Sequence, residues 1–212
     1  MSWLITAKQY IPAVIGEPFG GGFFAGYISH TANGNPTHAL IVAPRATGAV
    51  NSLSVAWKTT ATATANTGSM FDGAANTAAM VAAGIANHPA AQFCVNLSIA
   101  GFTDWYLPSA LELDIAYFNL KPTTGSNVIT STSGINAYSV PRRNSVWTAG
   151  SPAQTTVALF AGGTEAFTLD SWSSTESSAA NSYDWRPNNG ELRPNISKTF
   201  NRNVRAFRRI AL

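Results

Sequence analysis

Histidine, cysteine and acidic side chains, which could carry catalysis or hold a metal, are few and scattered in this sequence. His30, His38 and His88 lie in turn-like or helix-end contexts, and no Gly-x-Ser-x-Gly motif accompanies them. Nucleophilic catalysis needs a base within hydrogen-bonding reach of an activated serine or cysteine. The sequence has neither the HExxH spacing of a zinc site nor a GxxxxGK[ST] nucleotide loop. We therefore predict no catalytic residue, no metal and no cofactor.

A pair of converging carboxylates, as glycoside hydrolases use, is the one catalytic alternative that the sequence leaves open. Asp104, Glu112 and Asp114 could supply that pair. Glu112, however, stands three residues after Ser109, which predicts a helix-capping role for it. We therefore expect a protein that is not an enzyme. The single cysteine, Cys94, has apolar neighbours and allows no intrachain disulfide, so we expect it to be buried.

Large aromatic and charged side chains are concentrated between residues 177 and 203. Aromatic residues and arginine dominate the hot spots of binding surfaces. Pro187 and Pro194 are expected to interrupt strand structure in this segment. We predict an exposed, irregular ligand-binding surface on one face of the protein. Its candidate residues are Tyr183, Asp184, Trp185, Arg186, Asn188, Glu191, Leu192, Arg193, Asn195, Ile196, Phe200 and Arg202.

Basic residues accumulate towards the C-terminus. Seven of the 13 lysines and arginines, but only one of the ten acidic residues, lie in 186–212. One interpretation is a basic patch for phosphate, sulfate or acidic sugars. The alternative is a strand whose arginines pair with carboxylates elsewhere in the fold. No recognition helix, zinc-finger spacing or stacking motif accompanies the arginines, so we do not expect nucleic acid as a partner.

Composition and periodicity predict one α+β domain. The chain has 212 residues, of which 45% are hydrophobic and only 11% charged, and this balance suits turns and short strands. Strands are predicted within 23–28 and 39–43 and from Val204 onwards. Residues 121–150 are mostly Thr, Ser, Gly, Asn and Pro, and predict a long irregular insertion.

Two convincing helices are predicted. The first follows Asp72 as N-cap, and the second follows Pro108 with Ser109 and Glu112 as a capping box. A further short helix can begin at Pro89. The apolar faces predicted from 3.6-residue spacing consist of Ala74, Ala78, Val81 and Ile85 in the first helix, and of Leu111, Ile115 and Phe118 in the second.

Three motifs resemble those of a bacterial and phage domain. They are Gly-Phe-Thr-Asp-Trp-Tyr-Leu-Pro-Ser at 101–109 with Glu112 and Leu113 beyond, Ser-Trp-Ser-Ser-Thr-Glu at 171–176, and Val-Arg-Ala-Phe-Arg-Arg at 204–209. The domain belongs to the C-type-lectin-like superfamily, which also holds the formylglycine-generating enzymes. Segments 21–28, 39–44 and 88–94 are similar to its phage-associated branch, so the resemblance spans 16–212.

The resemblance implies a C-type lectin fold, with two helices flanking small antiparallel sheets. Trp105, Leu107 and Trp172 are then expected in the core, and Asp104 is expected to hold a turn by accepting hydrogen bonds from backbone amides. The cysteine chemistry of the formylglycine-generating enzymes has no counterpart around Cys94. The calcium-site motifs of sugar-binding lectins (Glu-Pro-Asn, Gln-Pro-Asp and Trp-Asn-Asp) are missing as well. The resemblance therefore implies the fold without either activity.

This fold also serves the variable proteins of diversity-generating retroelements, including phage tropism determinants. In those proteins, adenine substitution, mostly in Asn codons, diversifies a patch ahead of the last strand. All residues of 177–203 except Trp185, Glu191 and Lys198 are types that such substitution can produce. We therefore expect a ligand-binding segment at about 172–203 in a phage tail-tip or retroelement-diversified receptor-binding protein. A structural particle component without a ligand is the alternative, and an enzyme is a distant third.

The resemblance also implies partners and a location. We expect a host-surface protein or glycan as receptor, and no membrane insertion. Residues 1–15 are interrupted by Lys8, Gln9 and Pro12, which fits neither a signal peptide nor a membrane span. Their apolar side chains, and the trimeric state of related tropism proteins, predict a homotrimer arranged around this segment. The expected location is the virion tail or the extracellular surface, with a cytoplasmic stage before assembly.

Overall fold

The computed structural model of the protein describes residues 11–212. The first ten residues of segment 1–15, which carry most of the apolar side chains of the predicted trimer contact, lie outside the described residues. The predicted α+β class is confirmed, with two sheets and short helices. The strands are β1 Pro18–Phe19, β2 Gly22–Ile28, β3 His38–Val42, β4 Ala49–Ala56, β5 Ser139–Val140, β6 Ser171–Glu176, β7 Asn181–Arg186, β8 Glu191–Ser197, β9 Asn201–Arg205 and β10 Phe207–Ala211. The helices are α1 Arg45–Gly48, α2 Gly73–Ala82, α3 Pro89–Val95 and α4 Ala110–Leu120, with a 3-10 turn at Ile85–Asn87.

The first sheet has the strand order β1-β2-β3-β10, and β5 pairs with the C-terminal end of β2 at Tyr27 and Ile28. All of its pairings are antiparallel. A bulge between Phe24 and Gly26 shifts the register of β2 against β3. Gly26 has φ 125°, and a Cβ there would lie 2.4 Å from the Asn119 side chain of α4. Glycine therefore lets α4 approach this sheet closely.

The second sheet has the strand order β4-β9-β6-β7-β8. Its pairings are antiparallel except between β6 and β9, which run parallel at Ser171 and Asn203. The expectation of purely antiparallel sheets is therefore wrong at this position. Local sequence patterns predict strands but not their partners, and this pairing joins residues 32 positions apart.

The predicted terminal strand is two strands that belong to different sheets. β9 ends at Arg205 in the second sheet, β10 begins at Phe207 in the first, and Ala206 lies between them. The Ala206 amide donates to the Gly48 carbonyl at 2.9 Å, and the Ala206 carbonyl accepts from the Ala43 amide at 3.0 Å. One continuous stretch of backbone thus links the two sheets.

Helix α2 begins as predicted but buries a different face. The Asp72 carboxylate caps it by accepting from the Ala75 amide at 2.8 Å. The buried residues are Gly73, Asn76, Thr77 and Met80, whereas Val81 is 47% exposed. The predicted apolar stripe is wrong because Asn76 and Thr77 are hydrogen-bonded to Ser69, Ser174 and Leu107, which makes their burial favourable.

Helix α4 carries the predicted capping box of Ser109 and Glu112. Of its predicted stripe, Ile115 is buried, Leu111 is half-buried and Phe118 is 38% exposed. The helix is buried on most sides, because it lies against β2 of one sheet and against β6 and β7 of the other. A single-stripe pattern therefore could not describe its environment.

Two apolar clusters form the core. The first surrounds α4 and includes Tyr117, Trp147 and Trp185. The second includes Trp105 and Trp172, which the motif resemblance places in the core. Cys94 belongs to the second cluster and is fully buried, as predicted, and burial raises the pKa of its thiol.

Replacing Trp172 with alanine should destabilise the fold strongly. Its side chain is fully buried, and its indole nitrogen donates to the Val55 carbonyl at 2.8 Å. We expect a loss of about 3–5 kcal/mol in the free energy of unfolding, measured by denaturant titration. The control Phe200→Ala removes a side chain that is 56% exposed, and should change stability by less than about 0.5 kcal/mol. Equal losses in the two variants would contradict the placement of Trp172 in the core.

Glu112 should make stability depend on pH. Burial raises the pKa of its carboxyl from 4.5 to about 7, although hydrogen bonds from Ser109 and Tyr106 act in the opposite direction. Because the folded state holds this proton more tightly than the unfolded chain, stability falls as pH rises between these two values. Glu112→Gln keeps the group neutral. The variant should therefore gain up to about 3 kcal/mol relative to the unsubstituted protein across that range. Parallel stability profiles from urea unfolding would contradict this assignment.

Candidate functional site

Segment 177–203 contains a β-hairpin, so the prediction of an irregular surface is wrong. β7 and β8 pair in register from Asn181 and Ser197 to Arg186 and Glu191, with one bulge between Ser182 and Asp184. Pro187 lies just after β7, in the turn. Pro194 lies within β8, which is the edge strand of its sheet. An edge strand tolerates proline because one side of its backbone has no ladder partner.

The twelve candidate residues divide into three groups by burial. Only Asn188, Asn195 and Phe200 are exposed, and Asp184 and Trp185 are fully buried. The prediction that these side chains are mostly exposed on one face is therefore wrong, because successive strand residues point to opposite faces. The remaining seven are half-buried: Tyr183, Arg186, Glu191, Leu192, Arg193, Ile196 and Arg202.

Trp185 points into the core. Its ring lies 6.0 Å from that of Tyr117 and 5.1 Å from that of Phe167, both with edge-on geometry. Leu192, its cross-strand partner in β8, packs against the same cluster. These contacts fix the inner side of the hairpin, so Trp185 belongs to the scaffold.

Asp184 is the centre of an ion-pair network on the other side of the hairpin. Its buried carboxylate accepts from Nε of Arg193 at 2.8 Å and from Nε of Arg202 at 2.6 Å. Arg193 also contacts Asp170 at 2.5 Å. Arg186 and Glu191 form a more exposed pair at 2.9 Å beside it. The network links β7, β8 and β9 through one carboxylate.

The other basic residues of the C-terminal segment also have acidic partners. The pairs are Lys198 with Glu176 (2.7 Å), Arg205 with Glu165 (2.5 Å), Arg208 with Asp104 (2.7 Å) and Arg209 with Asp72 (2.7 Å). The interpretation as a basic patch for anionic ligands is therefore wrong, and the alternative of arginines paired within the fold is confirmed. Asp104 binds the Arg208 guanidinium through both oxygens, which corrects its predicted bonding to backbone amides.

The three carboxylates considered for glycoside hydrolysis each have their own partner. Asp104 pairs with Arg208, and Glu112 accepts from the Tyr106 hydroxyl at 2.7 Å. Asp114 accepts from the Asn136 amide at 2.6 Å and pairs with Arg143. Within the described residues, no cluster of three or more His, Cys, Asp and Glu side chains could hold a metal ion.

A cleft of about 360 Å³ lies between the hairpin and the long insertion. Its size falls within the range of ligand pockets. Among the residues that line it, the sequence predicted Tyr183, Glu191 and Leu192 as ligand-binding residues. It did not predict a binding role for the lining residues of the insertion or for those at the base of the cleft. The composition of 121–150 signalled the insertion but not its contact with the hairpin. Lining residues are Met70, Leu111, Asp114, Val128, Thr130, Thr132–Ile135, Trp147, Tyr183, Gly190–Leu192 and Pro194.

Trp147 joins the two walls of the cleft. Its amide donates to the Ser133 carbonyl at 2.9 Å, which ties it to the insertion. A Cβ on Gly134 would lie 2.2 Å from the indole, and a Cβ on Gly190 would lie 2.5 Å from it. Both glycines also have positive φ, so side chains are excluded there on two grounds. The indole is therefore held between the insertion and the hairpin turn.

Hydrogen bonds anchor the insertion to the hairpin and to α4. The Val128 amide donates to the Asn189 carbonyl at 2.8 Å. Asn127 accepts from the Tyr117 hydroxyl at 2.7 Å, and its amide donates to the carbonyls of Thr148, Ala149 and Pro152. The buried Lys121 ammonium donates to the Gly125 and Pro152 carbonyls. The insertion is irregular, as predicted, but its contacts give it a defined position.

Comparisons with known proteins add no family assignment. Neither a scan against protein-family models nor a search of the curated proteins finds a match to this chain. In the part of the chain that the structure describes, no helix is long and apolar enough to cross a membrane.

Asp184→Ala should destabilise the hairpin more than loss of the exposed pair between Arg186 and Glu191 does. Removing a fully buried carboxylate leaves two half-buried guanidinium groups without it, and breaking such a pair costs about 3–5 kcal/mol. Arg186→Met removes a pair whose side chains are 37% and 31% exposed, and should cost less than about 1 kcal/mol. Chemical denaturation measures both. Similar small losses would show that the Asp184 network does not hold the hairpin.

Proposed function

We propose that the protein is a receptor-binding module with a C-type lectin fold. Support for the fold comes from the positions of the three motifs. The Ser174 amide donates to the Pro108 carbonyl at 2.7 Å, which joins the second motif to the first. Tyr106 and Phe207 exchange backbone hydrogen bonds, which joins the first motif to the third. Residues far apart in sequence thus meet around Trp105 and Trp172, as a shared structural role for the motifs requires.

The cleft between the hairpin and the insertion is the observation that carries the binding function. One wall of its concave surface is the edge of the second sheet, and the other is the irregular insertion. Loops that a rigid scaffold holds in place are where binding residues concentrate. Asp184, Trp185, Arg193 and Arg202 then act as scaffold. The binding residues in the cleft are Tyr183, Glu191 and Leu192, together with the insertion wall 130–135. Asn188, Asn195 and Phe200 do not line the cleft, and they contribute as the exposed candidates of segment 177–203.

The module serves a phage tail tip, or a related particle, at the outer surface, with a host-surface protein or glycan as receptor. Diversification by a retroelement accounts for the composition of 177–203. Such a system keeps a near-copy of the codons for about 172–205 beside a reverse transcriptase gene. Sequencing the surrounding DNA tests this part. A neighbourhood without any such copy would contradict diversification and leave receptor binding intact.

Binding through this surface is tested with a fourfold variant, Tyr183→Ala, Asn188→Ala, Asn195→Ala and Phe200→Ala. These side chains are exposed or half-buried, so the thermal midpoint should change little. The unsubstituted protein should sediment with intact cells of a susceptible strain in a panel of bacteria, and the variant should not. The matched control replaces exposed residues far from the hairpin in sequence, Val81→Ala and Asn96→Ala.

Two results would contradict the proposal. Equal cell binding by the fourfold variant and the control would place the binding surface elsewhere. Failure of the unsubstituted protein to bind any strain in the panel would favour a purely structural particle component.

A further inference from the structure

The cleft offers mainly apolar contact, although several polar residues line it. Met70, Leu111, Val128 and Ile135 form one part of its lining, and Trp147, Tyr183, Leu192 and Pro194 form another. Ile135 is 42% exposed at its rim, while Trp147 is 6% exposed at its base. Aromatic and aliphatic walls of this kind favour a ligand that removes apolar surface from water.

The charged groups of the cleft are neutralised from within the protein. Arg143 pairs with Asp114, which also accepts from the Asn136 amide at 2.6 Å. Arg186 pairs with Glu191 at 2.9 Å. A ligand therefore meets no uncompensated charge here, and a charged group entering the cleft would lose its hydration without gaining a counter-ion.

The hydroxyl groups on the insertion wall are largely engaged as well. The side-chain oxygens of Thr130 and Ser133 lie 2.7 Å apart, and each also accepts from the backbone amide of the other residue. A sugar needs several free donors and acceptors in fixed positions, because its hydroxyls lose water on binding. Within the described residues, only the hydroxyls of Tyr183 and Thr132 in this cleft have no hydrogen-bond partner.

We infer that the cleft receives an uncharged aromatic or large aliphatic side chain projecting from a protein partner, not a glycan. The inference rests on the proposed receptor-binding function and names the class of receptor. The inserted side chain packs between Leu192 and Tyr183 on the hairpin and Ile135 on the insertion. The Tyr183 hydroxyl then bonds a polar group of the partner beside the insertion point, the pattern of an interfacial tyrosine with one apolar and one wet end.

The edge strand β8 does not favour an alternative mode in which the partner adds a strand. Pro194 lacks an amide donor in the middle of β8, and its carbonyl already accepts from the Ser177 hydroxyl. Proline on an edge strand is a common device against strand addition. Side-chain insertion is therefore the mode that this geometry supports.

The experiment is an NMR titration of the isotope-labelled full chain with small probes. N-acetyl-phenylalaninamide stands for the inserted side chain, and N-acetylglucosamine and methyl glucoside stand for glycans. The aromatic probe should cause saturable shifts at millimolar concentration in the amides of 128–135 and in the Trp147 indole. The two sugars should cause none there.

Matched variants locate the binding. Ile135→Asp places a charge on the cleft rim and should weaken aromatic-probe binding about tenfold or more, equivalent to about 1.4 kcal/mol. Ile129→Asp makes the same change six residues earlier, at a side chain that is 59% exposed and does not line the cleft, and should leave binding unchanged. Both residues are exposed, so both variants should stay folded, as their amide spectra will show.

Three outcomes would overturn the inference. Sugar binding in the cleft without aromatic binding would identify a glycan receptor and leave the receptor-binding function standing. Equal weakening by both variants would show that the probe binds outside the cleft. Binding of neither probe class would reject the cleft as a pocket for either, and the cell-sedimentation test would then judge receptor binding separately.

Discussion

The buried Asp184 carboxylate is the interaction on which the candidate site depends. A single buried charge in the middle of a sheet is unfavourable unless it is paired and hydrogen-bonded. Arg193 and Arg202 supply those partners from the two strands that follow β7 in the sequence, β8 and β9. Since Arg193 also contacts Asp170, just before β6, four consecutive segments converge on one small group of atoms. Burial lowers the pKa of Arg193, but pairing with Asp184 and Asp170 outweighs this and raises it, so Arg193 stays charged over the whole physiological range.

The position of the hairpin follows from this network together with the packing of Trp185 into the core. Trp185 fixes the inner side against Tyr117 and Phe167, and Asp184 fixes the outer side. The backbone stretch through Ala206 links the second sheet to the first. The turn of the hairpin and its side of the cleft are therefore held in a fixed position, and Phe200 lies in the connection from β8 to β9. A ligand surface on such a frame loses little conformational entropy on binding, which favours affinity.

Local signals in the sequence predicted local structure well. The Asp72 cap, the Ser109 and Glu112 capping box and the buried Cys94 each depend on a few neighbouring residues, and the structure confirms all three. The predictions that failed concern residues whose environment is set by partners far away in the sequence. Asn76 and Thr77 are buried because Ser69 and Leu107 bond them, and Val81 is exposed although its spacing is that of a core residue. Pro194 suggested an irregular segment because the sequence did not reveal that β8 is an edge strand. Trp147 was missed because its role arises from contacts with Gly134 and Gly190, which lie 13 and 43 residues away.

The central claim is that the hairpin is rigid scaffold with a binding surface on it, and native-state hydrogen exchange tests this most directly. The amides of Ser182, Asp184 and Trp185 lie in β7, which has a paired strand on each side. We predict that they exchange only through opening that approaches global unfolding, as slowly as the amides of β3 in the first sheet. Exchange in β7 at the rate of the exposed residues 144–146 would contradict the account, because the proposed binding surface would then have no rigid frame beneath it.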